Sequence, residues 1–182
     1  MRLAFSMALL VVVLCVSACT TVTVVPSLLP GEGSAPELRL PALYKGDPRH
    51  LPLGVVAVSS PDAPFEYAFH VAYRRDDLPA LITLINPLTL FGWPIGSVRV
   101  TAVATLTARV GGAVVKRYEA TATVHKTRTL YSSDSLTELR LQALAAARDS
   151  IEAQIQADAI YLLDLASAAE QSTSPAAPEV NP

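Results

Sequence analysis

The sequence predicts an α+β fold, a small antiparallel sheet with a long C-terminal helix packed on one face. Three observations carry that expectation. Residues 65–74 alternate with period two, residues 98–130 do so on both sides of Gly111-Gly112, and apolar residues recur at helical spacing from Leu136 onward.

The strands come first. Val55-Val56-Ala57-Val58 is a short β-branched run, closed by the turn-forming Ser60-Pro61-Asp62-Ala63-Pro64. From Phe65 to Arg74 the odd positions are Phe65, Tyr67, Phe69, Val71 and Tyr73, and the even ones are Glu66, Ala68, His70, Ala72 and Arg74. Such alternation marks a half-buried strand, with the aromatic face inward. Arg74-Arg75-Asp76-Asp77 reads as a charged turn after it.

The hairpin can be set in register from its chemistry. A two-residue Gly111-Gly112 turn pairs residues whose numbers sum to 223, placing Ala104 opposite Glu119 and Leu106 opposite Arg117. That mixes core with solvent. A three-residue loop, Gly111-Gly112-Ala113, gives sums of 224 and sets Leu106 opposite Tyr118, Ala104 opposite Ala120 and Val100 opposite Val124. A three-residue loop or a bulge is therefore expected.

Ser135-Leu136-Thr137-Glu138 fits a capping box, in which the Ser and Glu side chains each satisfy a backbone donor. Neither Pro nor Gly occurs from Ala113 to Ser174. Leu139, Ala143, Leu144, Ala147, Ile151, Ile155, Ala159 and Leu162 follow Leu136 along one face. A helix reaching Ala169 is longer than most in globular proteins, which allows a break near Asp158.

The N-terminus carries an address. Arg2 precedes an apolar run of about 14 residues, Leu3 to Val16, which suits a signal peptide and is too short to span a bilayer comfortably. The run ends in Val16-Ser17-Ala18-Cys19, which resembles the lipobox of bacterial lipoproteins. The resemblance implies that Cys19 takes a diacylglycerol on sulfur, becomes the mature N-terminus and is acylated again. Two or more chains anchor a protein stably where one does not. Thr20 at the next position, in place of Asp, implies transfer to the outer membrane. An ordinary secretory signal with an incidental Cys is the other reading.

Domain boundaries follow: a signal peptide at 1–18, a lipid-anchored Pro-rich tether at 19–52, an α+β periplasmic domain at 53–169 and a disordered polar tail at 170–182. Pro26, Pro30, Pro36, Pro41, Pro48 and Pro52 argue against regular structure in the tether. Cleavage would remove Cys15, so no disulfide framework or Cys-based zinc site is expected. It would also remove Arg2, leaving 13 basic against 16 acidic residues, a net charge of −3. That balance gives no basic footprint for nucleic acid.

From Leu78 to Val98 there is no charged residue, and Pro79, Pro87, Gly92, Pro94 and Gly96 break the run into pieces too short to cross a membrane. It is a buried connection, an interfacial segment with Trp93 and Phe91 at headgroup level, or an exposed docking surface formed by Leu90, Phe91, Trp93, Pro94 and Ile95.

The whole pattern is similar to a loose group of small envelope lipoproteins with a lipobox, a Pro-rich lead, a short sheet interrupted by an apolar Leu-Thr-Leu stretch (here Leu88-Thr89-Leu90), a glycine hairpin and a terminal helix. The resemblance implies a non-enzymatic accessory or scaffolding factor with an envelope protein partner. The sequence shows no catalytic, cofactor or metal motif. His50, His70 and His125 lack partners at metal-ligand spacing. Two alternatives stand: a carrier of a small apolar or lipid ligand, in a cavity lined by Phe65, Tyr67, Phe69 and Ala-rich helix positions, and a hydrolase built on His70 or His125 with a nearby Ser or carboxylate.

Overall fold

The computed structural model describes residues 20–27, 38–79, 86–132 and 135–173. The expected signal peptide, Cys19, residues 80–85 of the apolar segment and residues 174–182 of the expected tail lie outside them. Six strands, β1 (Thr20–Val25), β2 (Leu40–Leu43), β3 (Val55–Val58), β4 (Phe65–Asp77), β5 (Gly96–Val110) and β6 (Ala113–Arg128), form one sheet in the order β1-β6-β5-β4-β2-β3. Two helices follow, α1 (Leu136–Ala157) and α2 (Ala159–Thr173). No helix among the described residues is long and apolar enough to cross a membrane.

The expected small antiparallel sheet with one long helix is corrected on both counts. The sheet has six strands and is mixed, because β2 runs parallel to both β3 and β4. The helical run is divided at Asp158, and α2 carries on to Thr173, into the expected tail. Asp158 is suited to begin a helix, where a carboxylate meets the positive end of the helix dipole. Its carbonyl accepts from Leu162 N–H and its own N–H reaches Gln154 O, so the joint leaves both backbone groups paired.

Two strands, β1 and β2, lie within the expected Pro-rich tether, where regular structure was not expected. Thr20–Val25 is an antiparallel edge strand on β6, with Thr20 opposite Lys126 and Val25 opposite Thr121. Its six residues are all Thr or Val, which favour the pleated surface. Proline does not keep Leu40–Leu43 out of the sheet. Leu40 N–H donates to Gly54 O in the β3 ladder, so Pro41 turns its missing donor toward β4, before the β4 pairing begins at Ala42.

The chain divides into two compact units. Among the described residues, the first takes in 20–25, 70–79, 86–103, 121–132 and 135–147. Its core is Val98, Val100, Ala102, Ala122, Val124, Leu139, Ala143, Leu144 and Ala147. Thr101 Oγ1 and Thr123 Oγ1 lie 3.3 Å apart, and their numbers sum to 224 as expected. At the head of α1, Glu138 N–H donates to Ser135 Oγ at 3.3 Å, half of the expected capping box.

The second unit takes in 26–27, 38–69, 104–120 and 148–173. Phe65, Leu40, Leu106, Ile151, Ile155 and Leu162 are fully buried there, each contributing about 1.5–3 kcal/mol by transfer from water. The hairpin turn is two residues rather than three, Gly111 and Gly112, with φ of 56° and 82°. Two consecutive positive φ angles match the twist of a hairpin, and glycine adopts them without strain. A two-residue turn and a Thr101–Thr123 pair are compatible only if β6 absorbs one extra residue between them, a bulge.

Strand β4 runs on through Arg74–Asp77, where a turn was expected. Residues two apart share a face of a strand, so Arg74 pairs with Asp76 and Arg75 with Asp77. The inward aromatic face holds at Phe65 and Tyr67 and is lost by Tyr73, which is 72% exposed.

Candidate functional site

In the first unit four strand ends meet at one end of the sheet. They are the start of β1 (Thr20), the end of β6 (Arg128), the end of β4 (Asp77) and the start of β5 (Gly96). Ile95 ties them together, its N–H donating to Arg128 O at 2.8 Å and its carbonyl accepting from Leu78 N–H at 2.9 Å. The Arg128 guanidinium and the Asp77 carboxylate form an ion pair at the same place.

From this base residues 86–95 project as a capped loop. Asn86 begins a 3-10 turn at Pro87–Phe91, its side chain accepting from Leu88 N–H at 3.0 Å. Thr89 Oγ1 donates back to Asn86 O at 2.8 Å. Gly92 closes the turn at φ 86°, a left-handed conformation that lets its own N–H reach Thr89 O and Trp93 N–H reach Leu88 O. Tyr131 Oη, on the segment after β6, donates to Leu90 O at 2.7 Å and braces the loop.

The side chains this architecture presents are apolar and open. Leu88 is 47% exposed, Leu90 and Phe91 61%, Trp93 49% and Tyr131 66%. Leu78 and Leu130 are exposed beside them. Leu88, Leu90, Phe91 and Trp93 are therefore not part of a buried connection; within the loop only Thr89 and Gly92, which cap it, are buried. Of the five expected surface residues, Leu90, Phe91 and Trp93 form the tip. Pro94 and Ile95 are half-buried and belong to the base. Leu88, Leu130 and Tyr131 were not anticipated. The two after the hairpin carried a signal, because an apolar pair past the end of the alternating strand, Leu130-Tyr131 after Arg128-Thr129, has no alternation to bury it.

The other sequence candidates lie apart from this site. His70 is exposed on β4 and His125 half-buried on β6, and among the described residues neither is hydrogen-bonded to a serine or carboxylate. His50 packs edge-on against Phe69, with ring centroids 5.6 Å apart, and its carbonyl accepts from Tyr67 Oη at 3.3 Å. Burial pushes the Tyr67 phenol well above its ordinary value. No cluster of His, Cys, Asp or Glu fit to hold a metal ion occurs among the described residues.

A cleft of about 360 Å³ in the second unit is lined by Leu43 to Gly46 and Glu66 to Phe69. It departs from the cavity a ligand carrier was expected to have. No helix residue lines it, and Phe65 is packed in the core instead. Near the cleft the Arg49 guanidinium, doubly bonded to Asp47, holds that carboxyl down at about 2.

At the joint between α1 and α2, Lys116 Nζ lies 2.7 Å from the Asp158 carboxylate and over the rings of Tyr118 and Tyr161, at 5.1 and 4.9 Å. The hydrogen bond from Lys116 lowers Asp158 and raises Lys116. Burial, with Asp158 adding to it, pushes Tyr118 up to about 12.

Compared with protein-family models, with curated proteins and with solved structures, the chain matches none.

Proposed function

We propose that the mature protein is a lipid-anchored bacterial envelope lipoprotein, held on the periplasmic face of the outer membrane and acting there as a non-enzymatic accessory factor for an envelope protein partner. One observation supports it above the others. Thr20, the residue after the lipobox Cys19, is already paired with Lys126 in the sheet. Consecutive Cα atoms are about 3.8 Å apart, so the anchored residue is one peptide bond from folded structure. A flexible tether would let a domain range away from its membrane. An anchor spliced directly onto a strand holds the domain flush against it, which suits a factor that works at the membrane surface.

The test is metabolic labelling with palmitate followed by fractionation of wild type and Cys19→Ser. Wild type should carry label and sediment with outer membranes; Cys19→Ser should carry none and lose membrane attachment through lipid. Equal labelling of the two, or a soluble unlabelled wild type, overturns the proposal.

A further inference from the structure

We infer that the 86–95 loop inserts its tip into the same phospholipid leaflet that holds the Cys19 lipid, giving the protein a second, protein-built membrane contact; this rests on the anchored-lipoprotein proposal.

The register places the two contacts side by side. Thr20 is opposite Lys126, and Arg128 lies two residues further along β6, about 7 Å at the rise of a strand. Arg128 O holds Ile95, the base of the loop. A lipid on Cys19 therefore leaves the fold at the end of the sheet from which Leu88, Leu90, Phe91 and Trp93 project.

The chemistry of the tip fits an interface. Its exposed side chains are two leucines, a phenylalanine and a tryptophan, with Tyr131 behind them, and residues 78–98 carry no charge to be desolvated. Aromatic rings are favoured at headgroup level. Backbone groups are the usual obstacle to inserting a loop, since unpaired ones are costly away from water. Here the N–H groups of Leu88, Thr89, Gly92 and Trp93 are all taken up within the loop, and Leu90 O accepts from Tyr131. A protein-docking loop has no need to lie beside the anchor; a lipid-inserting one must.

Trp93 is the chain's single tryptophan, so the protein carries its own probe. The full lipidated chain is reconstituted on vesicles of phosphatidylethanolamine and phosphatidylglycerol, with or without bromine on the acyl chains. Flotation reads the anchor; Trp93 emission reads the loop. The expected result is a blue shift and quenching, strongest with bromine high on the acyl chain. Flotation without quenching overturns the inference and leaves the anchor standing.

The Cys19→Ser chain, titrated with the same vesicles, tests the loop alone. Leu90→Asp should weaken its partitioning by at least about ten-fold, equivalent to ~1.4 kcal/mol. Partitioning indifferent to Leu90→Asp overturns the inference whatever Cys19 carries. In intact envelopes a photo-crosslinker at Phe91 should join phospholipid; a discrete protein adduct makes the tip a protein-docking surface and overturns it as well.

Discussion

Glu152 shows how much one side chain can hold. Its carboxylate, on α1, accepts the Gly54 N–H at 3.1 Å with its Oε2 and Gln156 Nε2 with its Oε1. Gly54 is buried, and its carbonyl starts the β2–β3 ladder by accepting from Leu40. Glu152→Ala strips the partner from a buried donor and should cost about 1–3 kcal/mol in denaturant unfolding, while Glu152→Gln keeps an acceptor and should cost less. Equal losses in the two variants would assign the effect to packing instead.

The Lys116–Asp158 pair makes a pH prediction whose sign follows from its shifts. Asp158 is lowered by the Lys116 hydrogen bond, so its contribution is complete above the unfolded carboxylate range near ~3.9 and is lost as pH falls through the lowered folded value. Lys116 is raised by Asp158, so its contribution is complete below the unfolded ammonium value near ~10.4 and is lost as pH rises through the raised one. The stability gap between wild type and Asp158→Asn should be flat through neutral pH and close at both extremes. A gap that persists in acid would place its origin elsewhere. Asp158→Asn should also bring the Tyr118 phenol down from about 12, though not to its ordinary value, since burial is the larger cause.

At the scale of elements, the hairpin depends on its two glycines. A Cβ on Gly112 would meet nothing within 4 Å, so the cost of Gly112→Ala is backbone strain alone, about 1–2 kcal/mol at φ 82°. Gly112→Asn should cost less, because Asn visits that region readily. Thermal unfolding of the two variants checks the order; equal loss would mean the turn is not the source.

The elements that local pattern exposes were legible, and those made by distant pairing were not. The even-numbered residues from Val98 to Ala108 and from Tyr118 to Val124 are buried together because alternation is a property of one strand. The helix face from Leu139 to Leu162 is buried because a 3.6 period is too; only Leu136, in the first turn, is exposed. β1 escaped notice because six Thr and Val residues stand beside a Pro-rich stretch, and their partner lies about a hundred residues away. The parallel pairing of β2 leaves no trace in sequence. Arg74–Asp77 read as a turn because charges usually mark one. Beyond Glu66, though, β4 has lost its β2 neighbour, and charged side chains suit a strand edge that faces solvent. For the site, composition singled out Leu90 to Ile95, but whether an uncharged segment is core or surface depends on what folds over it.

At the scale of the whole molecule, the chain carries no cysteine besides Cys15 and Cys19, and its strand order puts β1 at one edge of the sheet and β3 at the other. If Cys15 leaves with the signal peptide and Cys19 is acylated, no disulfide holds this fold. Burial and pairing must do so alone, and the edge strand β1 is held by its ladder to β6.

That ladder has a mechanical meaning. A pull on the N-terminus directed along β1, out through Thr20, loads all six pairs from Thr20–Lys126 to Val25–Thr121 at once. A sideways pull would open them one at a time, like a zipper. In the proposed anchored form, tension between membrane and protein would act in shear, the direction in which a short antiparallel strand resists most. A lipid on Cys19, as proposed, would thereby be joined to the fold by a ladder that yields last under a load directed along it.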